Sequence, residues 1–218
     1  MMSDDQLPES AEQSVPQTED DSETGPVRFV VVMGVAGSGK TTIGQALAAA
    51  LNTTFIDGDD YHPRANIEKT DRGEALADHD RWPWLNLVMG AMRGHVARNE
   101  QQIRKAGGRG AANAPGCSVA ACTSLRRPYR DFMTEAAGEP IFFAHLHGAR
   151  EIMHRRLMEQ DDHFMPAQQL DTQLATLEHL APNEVGLTVD VGLPVEEIVR
   201  QLVREIQATD ISKDRTPA

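Results

Sequence analysis

The stretch VVVMGVAGSGKTTIG, Val30 to Gly44, spaces three glycines ahead of a lysine and two hydroxyls. Gly34-Val35-Ala36-Gly37-Ser38-Gly39-Lys40-Thr41 satisfies G-x-x-x-x-G-K-[ST] at every fixed position, and Thr42 follows. In such a loop, backbone N–H groups converge on phosphate oxygens without side chains in the way. The helix behind it adds the partial positive charge of its N-terminus. Lys40 is placed to reach β- and γ-phosphates, and the Thr41 hydroxyl to ligate Mg²⁺. Nucleotide binding at residues 34–42 is the direct expectation. A guanine-specific switch would need an N-K-x-D motif, which the sequence lacks, so transfer of a γ-phosphoryl group is favoured over nucleotide sensing.

A second cluster, FIDGDDYHPRANIEK (Phe55 to Lys69), begins at the end of a β-prone run. In open α/β sheets ligands bind beyond the carboxyl ends of strands. Asp57 there could hold Mg²⁺ through water, and Asp59 could accept the proton of an attacking hydroxyl. The plain alternative, an acidic turn that caps the next helix, stays open. His62, Arg64, Asn66 and Lys69 crowd the next few positions with hydrogen-bonding groups, as a polar binding lobe would. His62 alone is a better structural hydrogen-bonder than base.

These residues need a scaffold, and the chain supplies alternating elements. Unalternated β-formers at Val27–Met33 suit a strand buried on both faces of a parallel sheet. Further strands are expected at Thr54–Asp57, Cys117–Cys122, Pro140–Leu146 and Gly186–Val191. Helices are expected over 40–51, 63–72, 80–98, 126–136, 149–159, 168–179 and 194–207. Trp84, Leu85, Val88, Met89 and Met92 form the apolar stripe of the third. Strands alternating with helices imply a parallel sheet covered on both sides.

The length of 218 residues suits one compact domain with small inserted lobes. The formal charge of −12 is concentrated in Asp4, Asp5, Glu9, Glu12, Glu19, Asp20, Asp21 and Glu23, all before the first basic residue, Arg28. Residues 1–26 have almost nothing to bury and read as a disordered acidic tail. They lack the composition of a secretory signal or transit peptide, so cytoplasm is the expected location. Nothing approaches the length of a membrane span. Cys117 and Cys122 read as reduced structural thiols. The Gly- and Ala-rich Arg104–Gly116 segment reads as an exposed loop, with no nucleic-acid role assigned.

MGVAGSGKTT, DGDDYHPRANIEK, ADHDRWPWL (77–85), CTSLRRPYRD (122–131) and DHFM (162–165) together resemble the small ATP-dependent gluconate kinases over about residues 27–205. The D-G-D-x-x-H-P-x-x-N-x-x-K element followed by D-x-D-R-x-P-W-L is far more specific than the glycine loop. The resemblance implies a P-loop NTPase fold of three-layer α/β/α type, like nucleoside monophosphate kinases, with a five-stranded parallel sheet ordered 2-3-1-4-5. The kinase domain would span 27–207, with a substrate lobe about 60–100, a lid about 159–168 and a flexible tail over 208–218. It implies phosphorylation of D-gluconate to 6-phosphogluconate with ATP and Mg²⁺, and suggests a homodimer.

An acidic protein cannot draw a sugar acid by its overall field, so local cations must do it. Arginine grips a carboxylate with a planar two-donor fork. Arg81 and Arg126 are chosen for that role beside Asp59, His62, Arg64 and Lys69, and Lys40, Asp59 and Arg126 for catalysis. Arg127 and Arg130 are available as further cations, with solvation of a helix face an equally good account of each. Arg156 aligns with the arginine that opens the lid and packs on adenine in related kinases. The chain departs from the family where lysine is usual at Arg126 and where a lid arginine three residues before the His–Phe pair is replaced by Gln160. A kinase for another sugar acid or polyol, and a nucleotide-binding protein with impaired transfer, therefore remain alternatives.

Overall fold

The computed structural model describes residues 24–105, 116–159, 167–209 and 211–212. Most of the expected lid, including Gln160, most of the acidic tail and much of the 104–116 loop lie outside these residues.

Five strands form one parallel sheet: β1 (Phe29–Met33), β2 (Phe55–Asp57), β3 (Ser118–Ala121), β4 (Phe142–His147) and β5 (Gly186–Asp190). Their spatial order is β2-β3-β1-β4-β5, the 2-3-1-4-5 arrangement expected. The central strand shows why its sequence does not alternate. Val30 and Val32 enter a core beneath α1 (Lys40–Ala50), α5 (Arg150–Met158), α6 (Ala167–Thr176) and α7 (Val195–Ala208), while Phe29, Val31 and Met33 enter the opposite core beneath α3 (Asp78–Lys105) and α4 (Arg127–Ala137). Both faces are apolar because both are covered.

Burial in α3 follows its stripe, with Trp84, Leu85, Val88, Met89, Met92 and Val96 facing the sheet. Each such side chain contributes roughly 1.5–3 kcal/mol on burial. The helix runs further than the expected 80–98 and accommodates Pro83 near its start. Its tertiary packing outweighs the hydrogen bond that a proline cannot donate.

α6 stops at Thr176 rather than 179. The Thr176 hydroxyl donates to the Thr172 and Gln173 carbonyls, and Glu178 N–H donates to Leu125 O at 2.9 Å. Capture by the loop after β3 thus ends the helix and leaves 177–184 irregular. Thr24–Gly25, from the segment read as a tail, pairs antiparallel with Ile211–Ser212. Cys117 and Cys122 are buried and unbridged. No helix among the described residues is long and apolar enough to cross a membrane.

Candidate active site

The parallel register brings the carboxyl ends of β1, β2 and β3 to one edge, where residues 34–39, 57–62 and 122–126 emerge. The glycine loop joins β1 to α1. Gly37 has φ of 74° and packs so closely on α5 that a side chain would collide with the Met153 carbonyl oxygen, so both conformation and space require glycine. Ala36 N–H donates to Gln173 Oε1 of α6 at 2.7 Å. The helix that follows the lid segment therefore touches the phosphate loop directly.

Lys40 folds back over the loop, donating to Val35 O at 3.2 Å. Burial pushes its pKa down, and the carboxylates of Asp59 and Asp57 push it back up. The Thr41 hydroxyl donates to Asp57 Oδ2 at 2.9 Å. The two residues proposed for a metal, 16 positions apart, thus present hard oxygen donors side by side, a set that suits Mg²⁺. Asp57 also caps the short 3-10 turn Gly58–Tyr61, its Oδ1 accepting from Asp59 N–H at 3.2 Å. Asp57 thus caps the turn, as the plain alternative expected, with one oxygen, while the other oxygen meets the Thr41 hydroxyl.

Asp59 projects into solvent at the mouth of the site. Gly58 beneath it runs against β3, where any Cβ would strike the Ala121 carbonyl oxygen, and Gly58 O accepts from Trp84 Nε1 at 2.7 Å. His62 stacks on Trp84 with ring centroids 4.2 Å apart and lies 3.8 Å from Asp59 Oδ1. Burial lowers its pKa, against the pull of Asp59. Asn66, buried, lies 3.4 Å from His62 Nδ1 and donates to Asp80 O at 2.9 Å.

The cations divide into two groups. Lys69 is held by Asp80, with contacts of 2.7 and 2.8 Å, and Arg64 is paired with Glu68 on the outer side of α2 (Arg64–Asp71), its side chain 93% exposed. Arg81 and Arg126 instead meet at Tyr129, their guanidinium carbons 5.6 and 5.5 Å from its ring centroid. Arg126 donates to both oxygens of Asp78 at 3.1 Å, and Tyr129 OH donates to Asp78 Oδ1 at 2.7 Å. These bonds, the tyrosine's first, hold the Asp78 carboxyl below its usual range. Arg156 lies on the nucleotide side: it donates to Val191 O at 2.8 Å, and its guanidinium comes 3.8 Å from where a Cβ on Gly39 would sit.

The geometry is thus a phosphate loop, a metal-capable oxygen pair, an exposed carboxylate and a pair of arginines along one sheet edge. A family model described as an AAA domain matches residues 29–180. A gluconokinase of Gluconobacter oxydans is 37% identical over 185 residues, covering 84% of this chain and 93% of that protein. The thermoresistant gluconokinase of Escherichia coli is 36% identical over 179 residues, covering 81% and 92%. This chain belongs to the gluconokinase family.

Solved structures agree. A gluconokinase from Sinorhizobium meliloti superposes with a TM-score of 0.64 at 37% identity, covering 83% of this chain and 92% of that one. An unliganded sugar kinase from Janibacter gives 0.68 at 36% identity, covering 84% and 95%.

Within this gluconokinase-family site, three residues escaped the sequence reading. Asp78 was within the D-x-D signature, but only the fold shows that it bridges Arg126 and Tyr129. Gln173 had no motif to mark it. Arg130, for which the sequence allows solvation of a helix face equally well, is buried instead: it pairs with Glu184 at 2.5 and 3.0 Å and donates to the Leu125 and Glu178 carbonyls. Arg127 likewise contacts Asp131 and Asn183. Together these arginines clamp residues 178–184 onto the loop that carries Arg126. An R-R-P-Y-R run shows the charges, but not the carbonyls that wait for them.

Proposed function

We propose that this chain transfers the γ-phosphoryl group of ATP to the primary hydroxyl of D-gluconate, giving 6-phospho-D-gluconate and ADP. The observation that carries the reading is the convergence, beyond the ends of β1, β2 and β3, of Lys40, the Thr41–Asp57 pair, Asp59 and the Arg81–Arg126 pair.

In this reading the backbone of residues 34–42 and Lys40 bind the phosphates, and Arg156 borders the adenine. Thr41 and Asp57 would hold Mg²⁺, which when bound neutralises charge on the phosphates. The bond from γ-phosphorus to the β–γ bridging oxygen breaks as the bond to the sugar oxygen forms, and the hydroxyl proton passes to Asp59. Arg81 and Arg126 take the substrate carboxylate and so fix which hydroxyl faces the phosphorus. Lys69 supports them by holding Asp80, the residue before Arg81, while His62 borders Asp59 and Arg64 offers an outer cation. The composition of residues 1–26 favours the cytoplasm as the place of action, and the gluconate kinase resemblance a homodimer.

A coupled ADP-release assay with ATP and Mg²⁺ against gluconate, other aldonic acids, polyols and shikimate tests the reading. Release above the no-acceptor baseline is expected with gluconate. Release with a different acceptor alone would reassign the substrate. Baseline release throughout, from protein that binds ATP, would leave a nucleotide-binding protein without transfer.

A further inference from the structure

His145 and His147 stand two residues apart on β4 and so project from the same face of the strand. His179, in the irregular segment after α6, comes against them. Ring centroids are 5.7 Å apart for His145–His147, 5.5 Å for His145–His179 and 5.0 Å for His147–His179. Interplanar angles of 50°, 59° and 74° show rings tilted around a common point rather than stacked. One donor nitrogen from each lies within 4.8 Å of the other two.

Packing alone does not account for these histidines. His145 Nε2 and His147 Nδ1 are buried without a hydrogen-bond partner among the described residues, an arrangement that native interiors avoid unless something binds the group. The other ring nitrogen of His145 lies 3.2 Å from Thr188 Oγ1. A bond from that nitrogen to the hydroxyl fixes the ring and leaves the lone pair on Nε2, as outer partners of metal-bound imidazoles do.

We propose that His145, His147 and His179 form a site for a divalent first-row transition ion, Zn²⁺ above all, bound by three imidazoles with water as the fourth ligand. Neutral nitrogen donors select this class over Mg²⁺ or Ca²⁺, which prefer oxygen. A tetrahedral ion with Zn–N of about 2.0–2.1 Å needs donor atoms roughly 3.4 Å apart, which small side-chain rotations supply from the present spacing. Arg130, the cation behind the cluster, is paired with Glu184 at 2.5 Å. His179 is exposed and offers the route of entry.

The bound ion ties the carboxyl end of β4 to the 177–184 segment that leaves α6, the helix whose Gln173 touches the phosphate loop. It is a structural clip, separate from Thr41 and Asp57.

The test is calorimetric titration of Zn²⁺ into tag-free, chelator-treated full-length protein with Mg²⁺ in excess, alongside the visible spectrum of the Co²⁺-loaded protein. We expect one Zn²⁺ per chain, tetrahedral Co²⁺ bands, and a rise in thermal midpoint on loading. His179→Ala, at an exposed position, and His147→Ala should each weaken binding by tenfold or more and abolish the bands, while His95→Ala on α3 should change nothing. Absence of stoichiometric uptake, or uptake equal to wild type in both His179→Ala and His147→Ala, would overturn the proposal.

Discussion

The phosphate loop and the acceptor side share one sheet edge but are assembled differently. The loop is one run of eight residues whose working parts are backbone N–H groups, glycine conformations and a helix terminus, with Lys40 as its main side chain. The acceptor side gathers Asp59 from the turn after β2, Arg81 from α3 and Arg126 from the loop before α4, and the last two meet only at the Tyr129 ring. A backbone-built site is held by the fold's own dihedrals. A site built from side chains depends on every packing contact that aims them, here the Trp84 bond to Gly58, the Lys69–Asp80 pair and the Arg130 clamp.

The largest effect should come from Lys40→Ala, the one substitution that removes a side chain the loop depends on. Turnover is expected to fall by about a thousandfold or more, with weaker ATP binding in calorimetry. Undiminished ATP affinity would mean that the backbone alone holds the nucleotide, which sharpens the contrast between the two regions.

Arg130→Met should cost about 3 kcal/mol in urea unfolding, because Glu184 is left buried with only Arg127 at 3.7 Å and the Ala181 N–H at 2.8 Å to offset its charge. The double variant Arg130→Met with Glu184→Leu should recover most of that loss. A single variant as stable as wild type would show that the acceptor wall does not need its clamp.

Asp59→Asn is expected to slow transfer by about a hundredfold or more with ATP affinity nearly intact. An equal loss of ATP binding would move Asp59 from the acceptor side to the nucleotide side, and a drop below tenfold would take proton transfer away from it. Arg126→Ala should raise KM for gluconate by roughly ten- to hundredfold, the range of a lost charge-assisted bond, with a smaller change in kcat. If kcat fell instead with KM unchanged, Arg126 would be acting on the transferring phosphoryl group.

The smallest effect concerns His62, whose folded pKa lies below the ordinary 6.5 because burial against Trp84 disfavours its charge. The unfolded chain binds this proton more readily, so the His62 contribution is complete above pH 6.5 and is lost as pH falls below it. His62→Gln should lose less stability than wild type across that window in pH-dependent thermal unfolding. Parallel curves would show that His62 does not titrate on folding.

How legible each region was follows from how it is built. Residues 34–42 could be read directly, since a loop made by local dihedrals writes its glycines into adjacent positions. The strand order was legible through family likeness, and most strands through their unalternated β-formers. The expected helix over 168–179 overran because its end is set by Leu125, about fifty residues earlier in the chain. Arg130 was ambiguous because charge in a sequence looks the same whether it meets water or buried carbonyls.

By itself, then, the sequence determined the phosphate loop, the alternation of strands and helices, and the presence of carboxylates and arginines after β2 and β3, all features carried by neighbours along the chain. Only the tertiary structure decided which of those charges meet. It joined Thr41 to Asp57, placed Arg81 and Arg126 on one tyrosine, withdrew Lys69 into Asp80, and closed three histidines from β4 and the segment after α6 around one point. The physical reason is range: backbone conformation is chosen over a few residues, whereas hydrogen bonds and ion pairs between distant segments exist only after the sheet has fixed their register.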